Sequence, residues 1–232
     1  MRIAIRKASP HRGGGRQTEE AVFQNSPFFC DKIKRKKAGD SVKRIWLIRH
    51  GESIANAGEA TQDHRNIPLS ELGLKQAQAL ALQIPKKPDL IVTSPYLRAQ
   101  QTAMCTIGRF PDTVTGIWDC VHEFVYLAPA TCVGTTSQQR RPRVINYWRK
   151  LDPDYVDGEG AESYRQLIGR IERTLSLLQR RPEQFILVFT HAQFIRNLLL
   201  VYENPGRPVE EYMAAFRRSR PVHNGQIVEI TM

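Results

Sequence analysis

Arg49-His50-Gly51 places a guanidinium, an imidazole and a glycine in consecutive positions. They directly follow residues 45–48, Ile-Trp-Leu-Ile, an apolar run of the kind that fills a strand buried on both faces. Open α/β sheets put their ligands at the carboxyl ends of such strands. Gly51 lets the chain turn there and brings the backbone close to whatever it meets. The Arg49 fork of donors suits an anion such as phosphate. A neutral imidazole is a competent nucleophile near pH 7, and nearby guanidinium charge helps keep it unprotonated. Taken alone, the three residues also describe a surface loop with a stray histidine.

Four further features sharpen the chemistry. Asn56 follows His50 at a spacing of six. Ser94-Pro95-Tyr96-Leu97-Arg98-Ala99-Gln100-Gln101-Thr102 follows a second apolar run at 90–92. Glu123 lies beyond a third run at 114–118. Thr190-His191-Ala192 ends a fourth, at 185–189. Singly, Arg98 could brace a helix, His191 could be a core histidine, and Glu123 could anchor a loop through a salt bridge. Arg98 and His191 both falling at strand carboxyl ends beside Arg49-His50 favours one shared anion site. Asp119 and Glu52 are fallback acids, Glu52 reading rather as a binding or structural residue of the strand-end turn. His50 and His191 lack an i,i+4 partner or a nearby Cys ligand, so no metal site is expected. His64, His122 and His223 read as structural or exposed.

The elements that must position these residues alternate between strand and helix. Leu72, Leu74, Ala77, Ala79, Leu80 and Leu82 predict a helix over 70–84 with Ser70 as its cap. Pro85 and Pro88 end it. Pro95 suits the first turn of a helix running to about 107 that carries Arg98. Leu167, Ile168, Ile171, Leu175 and Leu178 keep a helical period that Pro182 stops. Further helices are expected from 194 to 201 and 210 to 216, and an edge strand over 223–230 with Asn224-Gly225 as a turn or bulge. Residues 124–160 read as an insertion, a cap rich in Pro, Gly and aromatics with Arg140, Arg141, Arg143, Arg149 and Lys150 between them. That cluster suits a second anionic group on a substrate or a solvated basic face equally well.

Two hundred and thirty-two residues fit one α/β domain with an insertion. No apolar run approaches the ~20 residues of a membrane helix. Cys30, Cys105, Cys120 and Cys132 form no CxxC pair and read as reduced thiols of a cytoplasmic chain. The net charge is +11, and residues 1–44 hold 12 Lys/Arg against 4 Asp/Glu, so most of the excess lies there. Residues 1–42 keep no helical or strand period and read as an unstructured basic arm dispensable for catalysis. A transit peptide or an incorrectly assigned start codon would also fit them.

The motifs together resemble the histidine phosphatase superfamily, the phosphoglycerate-mutase-like proteins, over residues 43–232. Pro68-Leu69-Ser70-Glu71-Leu72-Gly73 with Gln76-Ala77 fits that pattern too. Gly160-Ala161-Glu162-Ser163 fits it with an extra Ala. The resemblance implies a three-layer αβα sandwich, a mostly parallel sheet with one antiparallel edge strand, and an inserted cap. It implies that His50 becomes a phosphohistidine, and that Arg49, Arg98, His191 and Asn56 hold the phosphoryl oxygens. Glu123 is then the general acid and base, with neither metal nor cofactor required. Ala192 after His191 argues against the acid-phosphatase and phytase branch, which has Asp there. Glu123-Phe124-Val125-Tyr126-Leu127 lacks the mutase signature Glu-Arg-x-Tyr-Gly. The leading expectation is a phosphatase of small phosphomonoesters. Its alternatives are a phosphomutase, a catalytically silent phosphate-binding module, and nucleic-acid binding through residues 1–44, ranked in that order. A homodimer stays open, and no membrane partner is expected.

Overall fold

A computed structural model describes residues 5–6 and 42–232. The arm expected over 1–42 otherwise lies outside the described residues. Strand β2 (Arg44–Arg49) is central, and Ile45, Trp46, Leu47 and Ile48 are each fully buried. Side chains alternate across a strand. Ile45 and Leu47 therefore join a core with Leu167, Ile171, Phe194, Leu198 and Tyr212, while Trp46 and Ile48 join another with Leu80, Ile84 and Ala103. Burial on both faces makes the sheet the middle of three layers. Helices α1 (Glu71–Gln83) and α2 (Leu97–Arg109) form one outer layer. Helices α4 (Tyr164–Arg180), α5 (Ala192–Glu203) and α6 (Val209–Phe216) form the other.

The remaining strands are β1 (Ile5–Arg6), β3 (Leu90–Thr93), β4 (Val114–Ile117), β5 (Phe185–Thr190) and β6 (Ile227–Thr231). Their order is β1-β6-β2-β5-β3-β4. Strands β2, β5, β3 and β4 are mutually parallel, and β6 is antiparallel to β2. In register, Arg49 lies beside Thr190, and Thr93 beside Phe189. His50, Ser94 and His191 thus leave the sheet together at its carboxyl edge. The expected antiparallel edge strand is corrected in one respect: Ile5–Arg6 pairs with Ile227 and Val228, so β6 is not the last strand.

The helix α1 is where expected, with Ser70 accepting from the Gly73 N–H at 3.1 Å. Its buried stripe is different. Gly73, Ala77, Leu80 and Ala81 face inward, whereas Leu72, Leu74, Ala79 and Leu82 are exposed. Small residues are needed because α1 packs backbone to backbone on the turn after β2. A Cβ on Gly73 would stand 1.9 Å from the Glu52 carbonyl oxygen, and one on Gly51 would stand 2.6 Å from the Gly73 oxygen.

Segment 124–160 contains a helix the apolar pattern did not predict, α3 (Ser137–Lys150). A reciprocal cap starts it: Thr136 Oγ1 accepts from the Gln139 N–H, and Gln139 Oε1 from the Thr136 N–H. Tyr147 buries against Phe124 and Tyr126, and Trp148 stacks on Phe216 with ring centroids 4.8 Å apart. Among the described residues, Cys105, Cys120 and Cys132 are free thiols, and no helix is long and apolar enough to cross a membrane.

Candidate active site

His50 is buried, and its ring is fixed from both sides. Arg98 Nε, which can only donate, lies 3.1 Å from His50 Nε2. Nε2 must therefore be the acceptor, and Nδ1 carries the proton it gives to the Gly51 carbonyl at 2.6 Å. The neutral Nε2 lone pair faces the cavity-lining Arg98. Burial above all, then the Arg98 and Arg49 charges, holds the His50 pKa well below the ordinary 6.5. The backbone of the turn is tied down as well. The His50 N–H donates to the Thr190 carbonyl, and the Gly51 N–H to Thr102 Oγ1, both at 3.0 Å.

Arg98 is buried, donates Nη1 to the His64 carbonyl at 2.8 Å, and lies over the Tyr96 ring at 5.0 Å. Burial pushes its pKa down to about 10, opposed by the charge of Glu123. Arg49 spends Nη1 on the Val222 carbonyl. His191 is fully buried, its ring centroid 5.2 Å from that of His50, with Nε2 bonded to Ser94 Oγ at 2.8 Å. Burial, then Arg98, holds its pKa well below 6.5 too. Two buried nitrogens, Arg49 Nε and His191 Nδ1, have no partner among the described residues. Orphaned polar atoms of this kind are costly unless water or a ligand satisfies them. Four groups from three strand ends thus form a cluster with a ready nucleophile and unmet hydrogen-bonding capacity.

Asn56 is exposed, and its Oδ1 accepts from the Ser53 N–H, the Ser53 hydroxyl and Asn224 Nδ2. Its own Nδ2 is the donor left for a ligand. Asn224 Nδ2 also reaches the His50 carbonyl at 3.1 Å, joining Asn56 to the turn at His50. Glu123 sits at the N-terminus of α5. Its carboxylate accepts from the Phe124, Phe194 and Gln193 N–H groups at 2.9, 3.1 and 3.3 Å. It lines one cavity with Arg98, and its charge acts on both Arg49 and Arg98. The segment around it is braced from α4. Arg170 pairs with Glu162 and donates to the Cys120 and His122 carbonyls, and Glu162 bonds Val125 through both its N–H and its carboxylate.

Asp119 is exposed in a short 3-10 turn, and Glu52 accepts from the Ser70 hydroxyl at the start of α1. Neither touches the cavity that Arg98 and Glu123 share. That cavity measures about 160 Å³, and His64, Ile67, Tyr96 and Phe124 are among its walls. His64, expected as structural or exposed, is therefore a wall residue, and its carbonyl holds Arg98. His122 stacks on Tyr96, and His223 is exposed. Sequence reasoning missed Ser94, Tyr96 and Asn224 as site residues. Ser94 and Tyr96 lie inside the motif that carries Arg98, and Asn224 reads in the sequence only as a turn residue. Among the described residues no three His, Cys, Asp or Glu side chains converge as a metal-binding group.

Known proteins resemble this chain in sequence and in fold. Residues 45–231 match the histidine phosphatase superfamily (branch 1). The adenosylcobalamin/alpha-ribazole phosphatase of Escherichia coli (strain K12) is 29% identical over 178 residues, covering 72% of this chain and 81% of that protein. The metal-independent phosphoserine phosphatase of Arabidopsis thaliana is 27% identical over 168 residues, 71% of this chain and 70% of that protein. Among solved structures, mycobacterial glucosyl-3-phosphoglycerate phosphatase superposes with a TM-score of 0.63 at 23% identity, over 82% of this chain and 90% of that one. At that identity the likeness speaks for the fold alone. With the family match spanning nearly all of residues 43–232, the chain belongs to the histidine phosphatase superfamily and is a phosphatase of that type.

Proposed function

We propose that the chain is a metal-independent phosphomonoesterase of a small phosphorylated metabolite, working through a phosphohistidine on His50. The observation that carries the reading is the fixed tautomer of His50, with Nε2 unprotonated beside the unpartnered Arg49 Nε and His191 Nδ1. Incoming phosphate takes over the Arg98 Nε–H, freeing the Nε2 lone pair. Nε2 then attacks phosphorus in line, and the bond to the leaving oxygen breaks. Glu123, in its protonated form, gives that oxygen a proton. Arg49, Arg98, His191 and Asn56 Nδ2 receive the charge on the equatorial oxygens. In the second half Glu123 takes a proton from water, hydroxide attacks phosphorus, the P–Nε2 bond breaks, and phosphate leaves. Segment 124–160 acts as the cap over this reaction.

The experiment is turnover of p-nitrophenyl phosphate in EDTA by the wild type, His50→Ala and Glu123→Ala, with acid-labile, base-stable phosphate on the protein sought by rapid quench. Turnover that survives EDTA and disappears with His50→Ala supports the phosphohistidine route. Full activity in Glu123→Ala on an alkyl phosphate, whose leaving oxygen needs a proton, removes Glu123 as the acid. Free phosphate as the product, with no isomeric phosphoester and no need for a bisphosphate primer, separates hydrolysis from mutase transfer.

A further inference from the structure

The five cations of segment 124–160 have different surroundings. Arg143 is paired with Asp157 at 2.5 Å, and Lys150 lies over the Tyr155 ring at 3.2 Å. Arg141 and Arg149 are exposed and line a separate groove with Ile145. Arg140 alone among them lines the cavity that holds Arg98 and Glu123. It is half-buried, and no carboxylate pairs with it among the described residues. Its Nη1 donates to the Thr135 carbonyl at 2.6 Å and the Thr135 hydroxyl at 2.9 Å. Thr135 is in turn bridged to Thr61, whose neighbour Gln62 lines the same cavity. The guanidinium is therefore held in place before any ligand arrives, which reduces the entropy lost on binding.

Arg140 is no part of the cluster around His50. The charges that act on His50 are Arg98 and Arg49, whereas Tyr126 feels both Glu123 and Arg140. Between these charges the walls are mainly apolar: Ile67, Tyr96, Phe124, Tyr126, Leu127 and Pro129. A volume of about 160 Å³ matches the size of cavity that accepts one benzene ring. An unpaired cation in a largely apolar wall is costly unless an anion meets it.

We propose that the substrate is a phosphomonoester whose leaving group is a compact, largely apolar body about one ring in size, bearing a second anionic group received by Arg140. This rests on the phosphatase reading above and names the substrate class for it. The carboxylate or other anion accepts from the free edge of the guanidinium, the ring lies along Tyr96 and Phe124, and the phosphate reaches the His50 cluster.

The test compares 4-carboxyphenyl phosphate with its neutral isostere, 4-carbamoylphenyl phosphate, on the full chain. Wild type is expected to favour the carboxylate about tenfold in kcat/KM, mostly through KM. Arg140→Ala is expected to erase that preference, and Arg141→Ala, the exposed neighbour on the same helix, to keep it. Calorimetry on His50→Ala repeats the comparison as binding: a tenfold preference there, lost in the double variant with Arg140→Ala, supports the site independently of turnover. Equal affinity for the two probes overturns the proposal, as does a preference that survives Arg140→Ala. A binding preference in a wild-type chain with no turnover, or turnover that survives His50→Ala, overturns the phosphohistidine reading and leaves the Arg140 assignment standing.

Discussion

Arg98 Nε points its hydrogen at His50 Nε2 across 3.1 Å, so the guanidinium proposed to bind phosphate also orients the imidazole proposed to attack it. The other end of the same guanidinium donates to the His64 carbonyl, which fixes the fork's plane. A lysine would keep the charge and lose that geometry. Arg98→Lys is therefore expected to lower kcat/KM for p-nitrophenyl phosphate by about 10²–10³-fold, the loss typical of a transition-state donor. Steady-state kinetics checks it, and a loss below threefold would show that point charge suffices.

The two buried histidines also link stability to pH. His50 and His191 both have folded-state pKa values held well below 6.5, by burial first and then by arginine charge. Above the unfolded-state pKa of about 6.5 both states are neutral and stability is independent of these groups. As pH falls below it, the unfolded chain takes up protons that the folded one refuses. Stability then declines by about 1.4 kcal/mol per pH unit for each histidine until the folded pKa is reached. The melting temperature is expected to drop between pH 7 and 5, and to drop less steeply in His191→Asn. A melting temperature flat across that window would contradict the assignment.

Much of this was legible in the chain because it is local. The run Ile45 to Ile48 encodes a strand covered on both faces, and burial of all four side chains follows from that. The motif residues Arg49, His50 and His191 sit at strand ends and Arg98 in the first turn of the helix after β3, so a parallel sheet brings them together without further information. What was not legible depends on neighbours distant in sequence. Leu72, Leu74 and Leu82 look like a core stripe, yet Gly73 faces inward because the Glu52 backbone occupies the space a side chain would need. Helix α3 was hidden because Arg and Gln dominate its surface and Pro142 interrupts its pattern, although the Thr136–Gln139 cap was present in the sequence. Asn224 reaches the site only because β6 runs antiparallel beside β2.

The contact between Gly51 and Gly73 carries its own expectation. A methyl group at either position meets backbone, which cannot rotate away as a side-chain tip can. Gly73→Ala is expected to cost roughly 1–3 kcal/mol, the range of overpacked core sites. It should also displace the turn that follows His50 and lower kcat. Urea unfolding monitored by tryptophan fluorescence measures the first effect. A variant as stable as wild type would mean that α1 can slide along the sheet without loss.

The Arg170–Glu162 pair makes the most discriminating prediction, because it touches no substrate. Arg170 is buried, and its bonds to the Cys120 and His122 carbonyls, with those of Glu162 to Val125, grip the chain on both sides of Glu123. If Glu123 is the general acid, loosening the grip should matter most when the leaving oxygen needs a proton. Arg170→Gln is expected to slow hydrolysis of an alkyl phosphate by about 10²-fold, within the usual contribution of general acid catalysis. The kcat/KM for p-nitrophenyl phosphate, whose leaving group departs readily as an anion and which does not report the later attack of water, should fall far less. Glu123→Gln should show the same split, while Arg98→Lys should slow both substrates alike. Equal losses on the two substrates for Arg170→Gln, beside a clear split for Glu123→Gln, would make the pair a general support of the fold with no part in positioning the acid.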